Sequence, residues 1–261
     1  MARFCSLFSS SSGNCTYIGS ADGGILIDAG VSAKQIGLKL DCIGVDPFSI
    51  GAIFVTHEHS DHIKGLRVFA SKYNIPVYAS AGTIGELERL GVVNGRFQLN
   101  PIEDIIFTAG MKTERFRTSH DVAESCGYII TTSDDRKIAV ATDTGIVTDE
   151  MRNALAGSDL VLLESNHDIG MLRNGEYPYL LKRRILSDRG HLSNIACSEF
   201  AVELVKSGTT RLVLGHLSRE NNIPELAFQT SKSALDCAGA VEYRDYLLQV
   251  AGSDKSEMVV L

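Results

Sequence analysis

What these 261 residues lack narrows the field first. No apolar run approaches the roughly 20 residues needed to cross a bilayer, so no membrane span is expected. The opening Met1-Ala2-Arg3-Phe4-Cys5-Ser6-Leu7-Phe8 runs straight into serine and glycine, without the longer apolar core and cleavage site of a secretory signal. The six cysteines (Cys5, Cys15, Cys42, Cys126, Cys197, Cys237) are scattered and include no C-x-x-C pair. That argues against a disulfide framework and for reduced thiols packed in the core of a cytoplasmic protein. There is no linker, no long repeat and no low-complexity tract beyond Ser9 to Ser12, so a single domain over residues 1–261 is expected. An excess of positive charge is also missing: the net charge of −7 argues against a broad polyanion-binding face, though not against local basic patches.

Histidine is scarce as well, with seven in the chain, yet three fall in one stretch, Thr56-His57-Glu58-His59-Ser60-Asp61-His62. This stretch follows Gly51-Ala52-Ile53-Phe54-Val55, which reads as a buried strand. Imidazole and carboxylate are costly to bury unless paired, and they are the side chains that hold divalent ions. Four such donors in six residues are too many for one ion that keeps an open position. The spacing points to two ions close together, with the loop supplying part of each shell.

The remaining pattern is strands, helices, strands, helices. Strands are expected at Phe4-Leu7, Cys15-Ile18, Gly24-Asp28, Ile50-Val55, Pro76-Ala79, Asp104-Phe107, Met111-Thr118, Cys126-Thr132, Lys137-Thr142, Leu160-Glu164, Arg211-Gly215 and Glu242-Val250. Helices are expected from Ser32 to Leu40, Lys64 to Tyr73, Thr83 to Leu90, Asp149 to Leu155, Tyr179 to Leu186, Ser193 to Ser207 and Pro224 to Ala238. So many strands exceed one doubly wound sheet and predict an α/β, four-layered αββα sandwich with two mixed sheets flanked by helices.

The other histidines stand close to predicted element ends: His120 after Met111-Thr118, His167 after Leu160-Glu164, His216 after Arg211-Gly215, and His191 just before a helix. Asp143 follows a fifth strand. Side chains at strand ends gather at one sheet edge, so these residues can converge.

In this order, His57-x-His59-x-Asp61-His62, His120, Asp143 and His216 resemble the metallo-β-lactamase fold superfamily, with Asp28 in Leu26-Ile27-Asp28-Ala29-Gly30 matching its upstream aspartate. The resemblance implies a dinuclear hydrolase. His57, His59 and His120 would hold one ion, Asp61, His62 and His216 the other, and Asp143 would bridge them. Asp28 would orient the histidine loop through hydrogen bonds. Zinc ranks first for the two divalent ions, with manganese and iron as alternatives. Asp61, Asp143 and His191 are the expected catalytic residues.

Several segments favour phosphodiester chemistry. Ser9-Ser10-Ser11-Ser12-Gly13-Asn14-Cys15 offers Ser11, Ser12, Asn14 and backbone N–H groups as an anion cradle, with a flexible turn as the plainer reading. Gly190-His191-Leu192-Ser193-Asn194 opens a helix, where His191 and Ser193 could meet a phosphate. Asn166 and His167 add polar groups at another strand end, and Lys182-Arg183-Arg184 is a solvated helix face or a DNA contact. These segments, with Gly215-His216-Leu217-Ser218, look like the YycJ-type (WalJ-type) exonuclease subfamily. That resemblance implies a metal-dependent 5′-to-3′ exonuclease on DNA, linked to mismatch repair. A thioesterase or lactonase on the same dinuclear site is the alternative.

Overall fold

The computed structural model describes residues 1–93, 95–102, 105–252 and 257–261. They form two compact units, one of residues 1–115, 122–136 and 252–261, the other of residues 116–121 and 137–251.

The first unit begins with β1 (Arg3–Ser10), β2 (Gly13–Gly19) and β3 (Gly24–Ile27), then α1 (Ala33–Cys42) and β4 (Ile50–Phe54). Ser32, the expected start of this helix, caps α1 in a reciprocal capping box with Gln35. Two short helices follow, α2 (Ser60–Ile63) and α3 (Leu66–Tyr73), then β5 (Val77–Ala79), α4 (Ala81–Arg89) and β6 (Leu99–Pro101). The expected start of α4 at Thr83 moves back because Ser80 accepts from Thr83 N and serves as the cap. Strands β7 (Ile106–Thr108) and β8 (Met111–Arg117) pair antiparallel, and β9 (Cys126–Thr132) comes next. Asp104, the expected first residue of β7, lies outside the described residues.

The second unit contains β10 (Lys137–Ala141), α5 (Asp149–Leu155), β11 (Leu160–Glu164), α6 (Ile169–Asn174), α7 (Tyr179–Ile185), α8 (Asn194–Lys206), β12 (Arg211–Gly215), α9 (Pro224–Cys237) and β13 (Leu247–Val250). The chain ends in the first unit with β14 (Val259–Val260). The expected strand from Glu242 is shorter, because Glu242 to Tyr246 makes only an isolated bridge before β13 begins.

The fold is two mixed sheets flanked by helices. One has the order β14-β1-β2-β3-β4-β5-β6 and the other is built of β7 to β13. Within the first sheet β3, β4, β5 and β6 run parallel, and a core including Leu26, Ile53, Val55, Leu66 and Phe69 lies against it. In the second, β10, β11, β12 and β13 are all parallel. Parallel strands bring their C-terminal ends to one edge, which is where α/β sheets place ligands. No helix among the described residues is long and apolar enough to cross a membrane.

The cysteines depart from the expectation in part. Cys5, Cys15, Cys126 and Cys197 are buried, whereas Cys42 and Cys237 are exposed because each ends a surface helix. All six are free thiols.

Candidate metal centre

The ligand-type residues of the first unit sit beyond the ends of β3 and β4. These strands pair in parallel, with Ile27 opposite Phe54, so Asp28 and Thr56 leave the sheet side by side. The Asp28 carboxylate accepts from Thr56 N at 2.8 Å and Thr56 Oγ1 at 2.9 Å, and meets His62 Nδ1 at 2.8 Å. Burial pushes the Asp28 carboxyl up, against the opposing pull of His62 and Thr56. Thr56 Oγ1 also stands 3.0 Å from His57 Nδ1. His57 Nε2 faces His59 Nδ1 at 3.0 Å. The expected loop after β4 contains the single helical turn α2, with His59 at its N-cap, and this turn carries Asp61 and His62. Residues 29 and 30 run along it: Ala29 N donates to His62 O at 2.8 Å. Gly30 has no alternative there, since a Cβ would lie 1.6 Å from Asp61 O.

In the second unit the ends of β10, β11 and β12 are level, with Ala141 opposite Leu163 and Glu164 opposite Gly215. Asp143, Glu164 and His216 therefore emerge together. The atoms that Asp143, Glu164, His191 and His216 could offer a metal lie within 4.8 Å of one another. Glu164 is the hub. Its Oε1 is 2.8 Å from His191 Nδ1 and 2.8 Å from His216 Nδ1. Its Oε2 accepts from Thr144 N at 2.9 Å and Leu192 N at 3.3 Å. Burial alone would push its carboxyl up, but His191 and His216 outweigh that and hold it well below the usual carboxylate range. His120 places Nδ1 3.0 Å from Gly190 O, and burial lowers its basicity.

The residues fit divalent ions on two observations. His57, His62, His120 and His216 each engage Nδ1 with a protein oxygen, so that Nε2 is the ring nitrogen each could offer a metal. Asp28, Asp143 and His216 also have positive φ, at 63°, 57° and 55°. Such backbone is uncommon away from glycine and clusters at functional sites.

The expected substrate contacts divide. Ser11 and Ser12 are exposed at the β1–β2 turn, and Ser12 Oγ pairs with Ser10 Oγ at 2.8 Å. Asn14 is buried and its amide is engaged internally, with Nδ2 3.2 Å from Asp61 Oδ2 and 3.0 Å from His62 Nε2. Asn166 is buried too and donates to His216 O at 2.9 Å, bracing that strained residue. Ser193 caps α8 by accepting from Ala196 N. His167 is buried, and neither of its ring nitrogens has a hydrogen-bond partner among the described residues. Burial lowers its pKa to about 4. His191 keeps a partly exposed ring.

Glu164 is a candidate site residue that sequence reasoning placed among the polar groups of a strand end without giving it a role. The strand-end argument that selected Asp143 and His216 applies equally to an acid closing the apolar run Leu160-Val161-Leu162-Leu163.

A family model described as a β-lactamase superfamily domain matches residues 24–217, a span that takes in every one of the candidate ligands. The chain belongs to this superfamily. Two curated relatives extend the match along most of the sequence. "Exodeoxyribonuclease YycJ" of Bacillus anthracis is 38% identical over 91% of this chain and 90% of its own length. "Exodeoxyribonuclease WalJ" of Streptococcus pneumoniae serotype 2 is 37% identical over 94% and 93% respectively. Among solved structures, the metallo-β-lactamase fold protein YhfI from Bacillus subtilis superposes with a TM-score of 0.73 at 15% identity, covering 99% of both chains, a likeness of fold. Superfamily membership and the His/Asp clusters together point to divalent metal ions.

Proposed function

We propose that this protein is a metal-dependent exodeoxyribonuclease that hydrolyses phosphodiesters from the 5′ end of DNA. The observation that carries the reading is the similarity to the two exodeoxyribonucleases, which spans nine-tenths of each chain. His57, His59 and His120 are the proposed ligands of one ion, Asp61, His62 and His216 of a second, with Asp143 shared. When bound, such ions supply an activated water nucleophile and a positive field for the phosphate oxygens. Zinc, manganese and iron all suit these donors, zinc first. Six unbridged cysteines support a cytoplasmic setting.

The chain's own residues do the rest. Asp28 holds His62 in one tautomer and orientation, and Glu164 does the same for His216. Glu164 also accepts from His191 Nδ1, which fixes the ring so that Nε2 faces outward as the proposed proton donor to the departing oxygen. Ser11 and Ser12, exposed at their turn, are the proposed contacts to a strand phosphate.

The test is metal-loaded protein incubated with 5′-phosphorylated and 5′-hydroxyl duplex DNA, beside a generic thioester and a lactone. Stepwise release of nucleotides from the 5′ end is the expected result. Turnover of the thioester or lactone alone would replace the nuclease reading with the small-molecule one.

A further inference from the structure

Helix α7 leaves two large apolar side chains in solvent. Of its seven residues, Tyr-Leu-Leu-Lys-Arg-Arg-Ile, none is fully buried: Leu181, Lys182 and Ile185 are half-buried and the other four exposed. Tyr179 is 72% and Leu180 76% exposed. A helix this short is not stable alone, and charged side chains help to hold this one in place. Lys182 Nζ donates to Arg173 O at 2.9 Å and to Gly175 O, closing the end of α6. Arg184 makes a two-pronged pair with Asp121. Asp121 follows His120, and Arg189 donates twice to the His120 carbonyl, at 3.2 and 3.1 Å. The helix is thus fastened beside a proposed metal ligand with Tyr179 and Leu180 turned outward.

What would cover that surface is indicated by charge. Between Arg173 and Arg189 there are five cations (Arg173, Lys182, Arg183, Arg184, Arg189) and two acids (Glu176, Asp188), in a chain of net charge −7. A second copy would bring the same basic face and be repelled. A polyanion would be attracted. Tyr179 and Arg183 are one helical turn apart, and the guanidinium lies 5.9 Å from the ring centre. An exposed aromatic ring beside an outward guanidinium is the pairing that stacks a nucleobase and meets its phosphate.

We propose that α7 is the strand-contacting element of this protein, with Tyr179 stacking on an unpaired base and Arg183 meeting the adjoining phosphate of single-stranded DNA next to the metal centre. The proposal rests on the nuclease reading and names the surface by which the substrate strand is held.

The test is binding of a fluorescently labelled short single-stranded oligonucleotide, followed by anisotropy under chelation so that no cleavage occurs. Tyr179→Ala is expected to weaken binding about tenfold, and Tyr179→Phe to retain it. Arg183→Ala is expected to reduce the slope of log affinity against log salt by about one. Unchanged melting temperatures confirm that each variant folds. If wild-type protein binds the strand and the Tyr179→Ala/Arg183→Ala double variant binds it equally well, α7 is not the contact and the nuclease reading stands. If wild-type protein neither binds nor degrades DNA, both fail. A wild-type dimer in sedimentation that Tyr179→Ala/Leu180→Ala dissolves would assign the face to a second copy and overturn the proposal.

Discussion

A buried glutamate shared by two imidazoles fixes more than charge. Glu164 sets which nitrogen of His191 and of His216 carries a proton, and its second oxygen ties Thr144 and Leu192 to the same point. Glu164→Gln keeps the shape but removes the charge and one acceptor. Metal affinity should fall about 10- to 100-fold, as it does when a ligand's supporting partner is lost. Competitive titration against a chromophoric chelator measures this, and unchanged affinity would reduce Glu164 to a packing role. His167 makes a different prediction. Its folded pKa is about 4, against an ordinary 6.5, because burial disfavours the charged ring. Above pH 6.5 the ring is neutral in both states and stability is unaffected. As pH falls toward 4, the unfolded chain takes up the proton and the folded one does not, so stability declines by about 3 kcal/mol. His167→Gln should flatten that part of the pH dependence in urea unfolding of metal-free protein. An equally steep decline in the variant would contradict it. The imidazole types and their order were legible in the sequence. The role of Glu164 was not, because it depends on two partners 27 and 52 residues away.

Among the elements, the parallel set β10, β11 and β12 does the positioning. Its register levels three strand ends, so Asp143, Glu164 and His216 meet although each comes from a separate crossover. The strands were readable from their β-branched and apolar runs, since burial on both faces leaves continuous hydrophobic segments. Helix α6 was not, because it is six residues long and its one strong signal is the cap, Asp168 accepting from Met171 N at 2.7 Å. Helix α8 shows how a single residue can be read two ways. Ser193 suggests a phosphate contact by its place before a helix, and in the fold it accepts from Ala196 N at 3.2 Å as the cap. Ser193→Ala should lower stability by about 1 kcal/mol, and Ser193→Asp should restore most of it. Denaturant midpoints decide. A large rise in KM for DNA with no loss of stability would return Ser193 to the substrate.

At the scale of the whole molecule, metal and stability should be linked. Ligands that bind only the folded chain stabilise it by mass action, about 2.7 kcal/mol at a ligand concentration 100 times Kd. Chelation should therefore lower the melting temperature as well as abolish hydrolysis, and adding back zinc or manganese should restore both. A melting curve unmoved by chelator and by added metal would mean that these clusters hold no ion. The net charge of −7 adds a condition to any assay with DNA: attraction comes from local basic segments and weakens steeply with salt.

By itself, the sequence determined the class of chemistry. Imidazoles and carboxylates follow the ends of apolar strands in a fixed order, and donors of that kind are tolerated in a protein interior when metal or hydrogen bonds satisfy them. Tertiary structure alone decided how those donors are held. The left-handed backbone of Asp28, Asp143 and His216, the shared carboxylate of Glu164 and the engaged Nδ1 of four histidines all depend on chain segments far apart in sequence. Hydrogen-bond direction and backbone strain are set by neighbours in space, and a linear pattern of residue types carries no record of them.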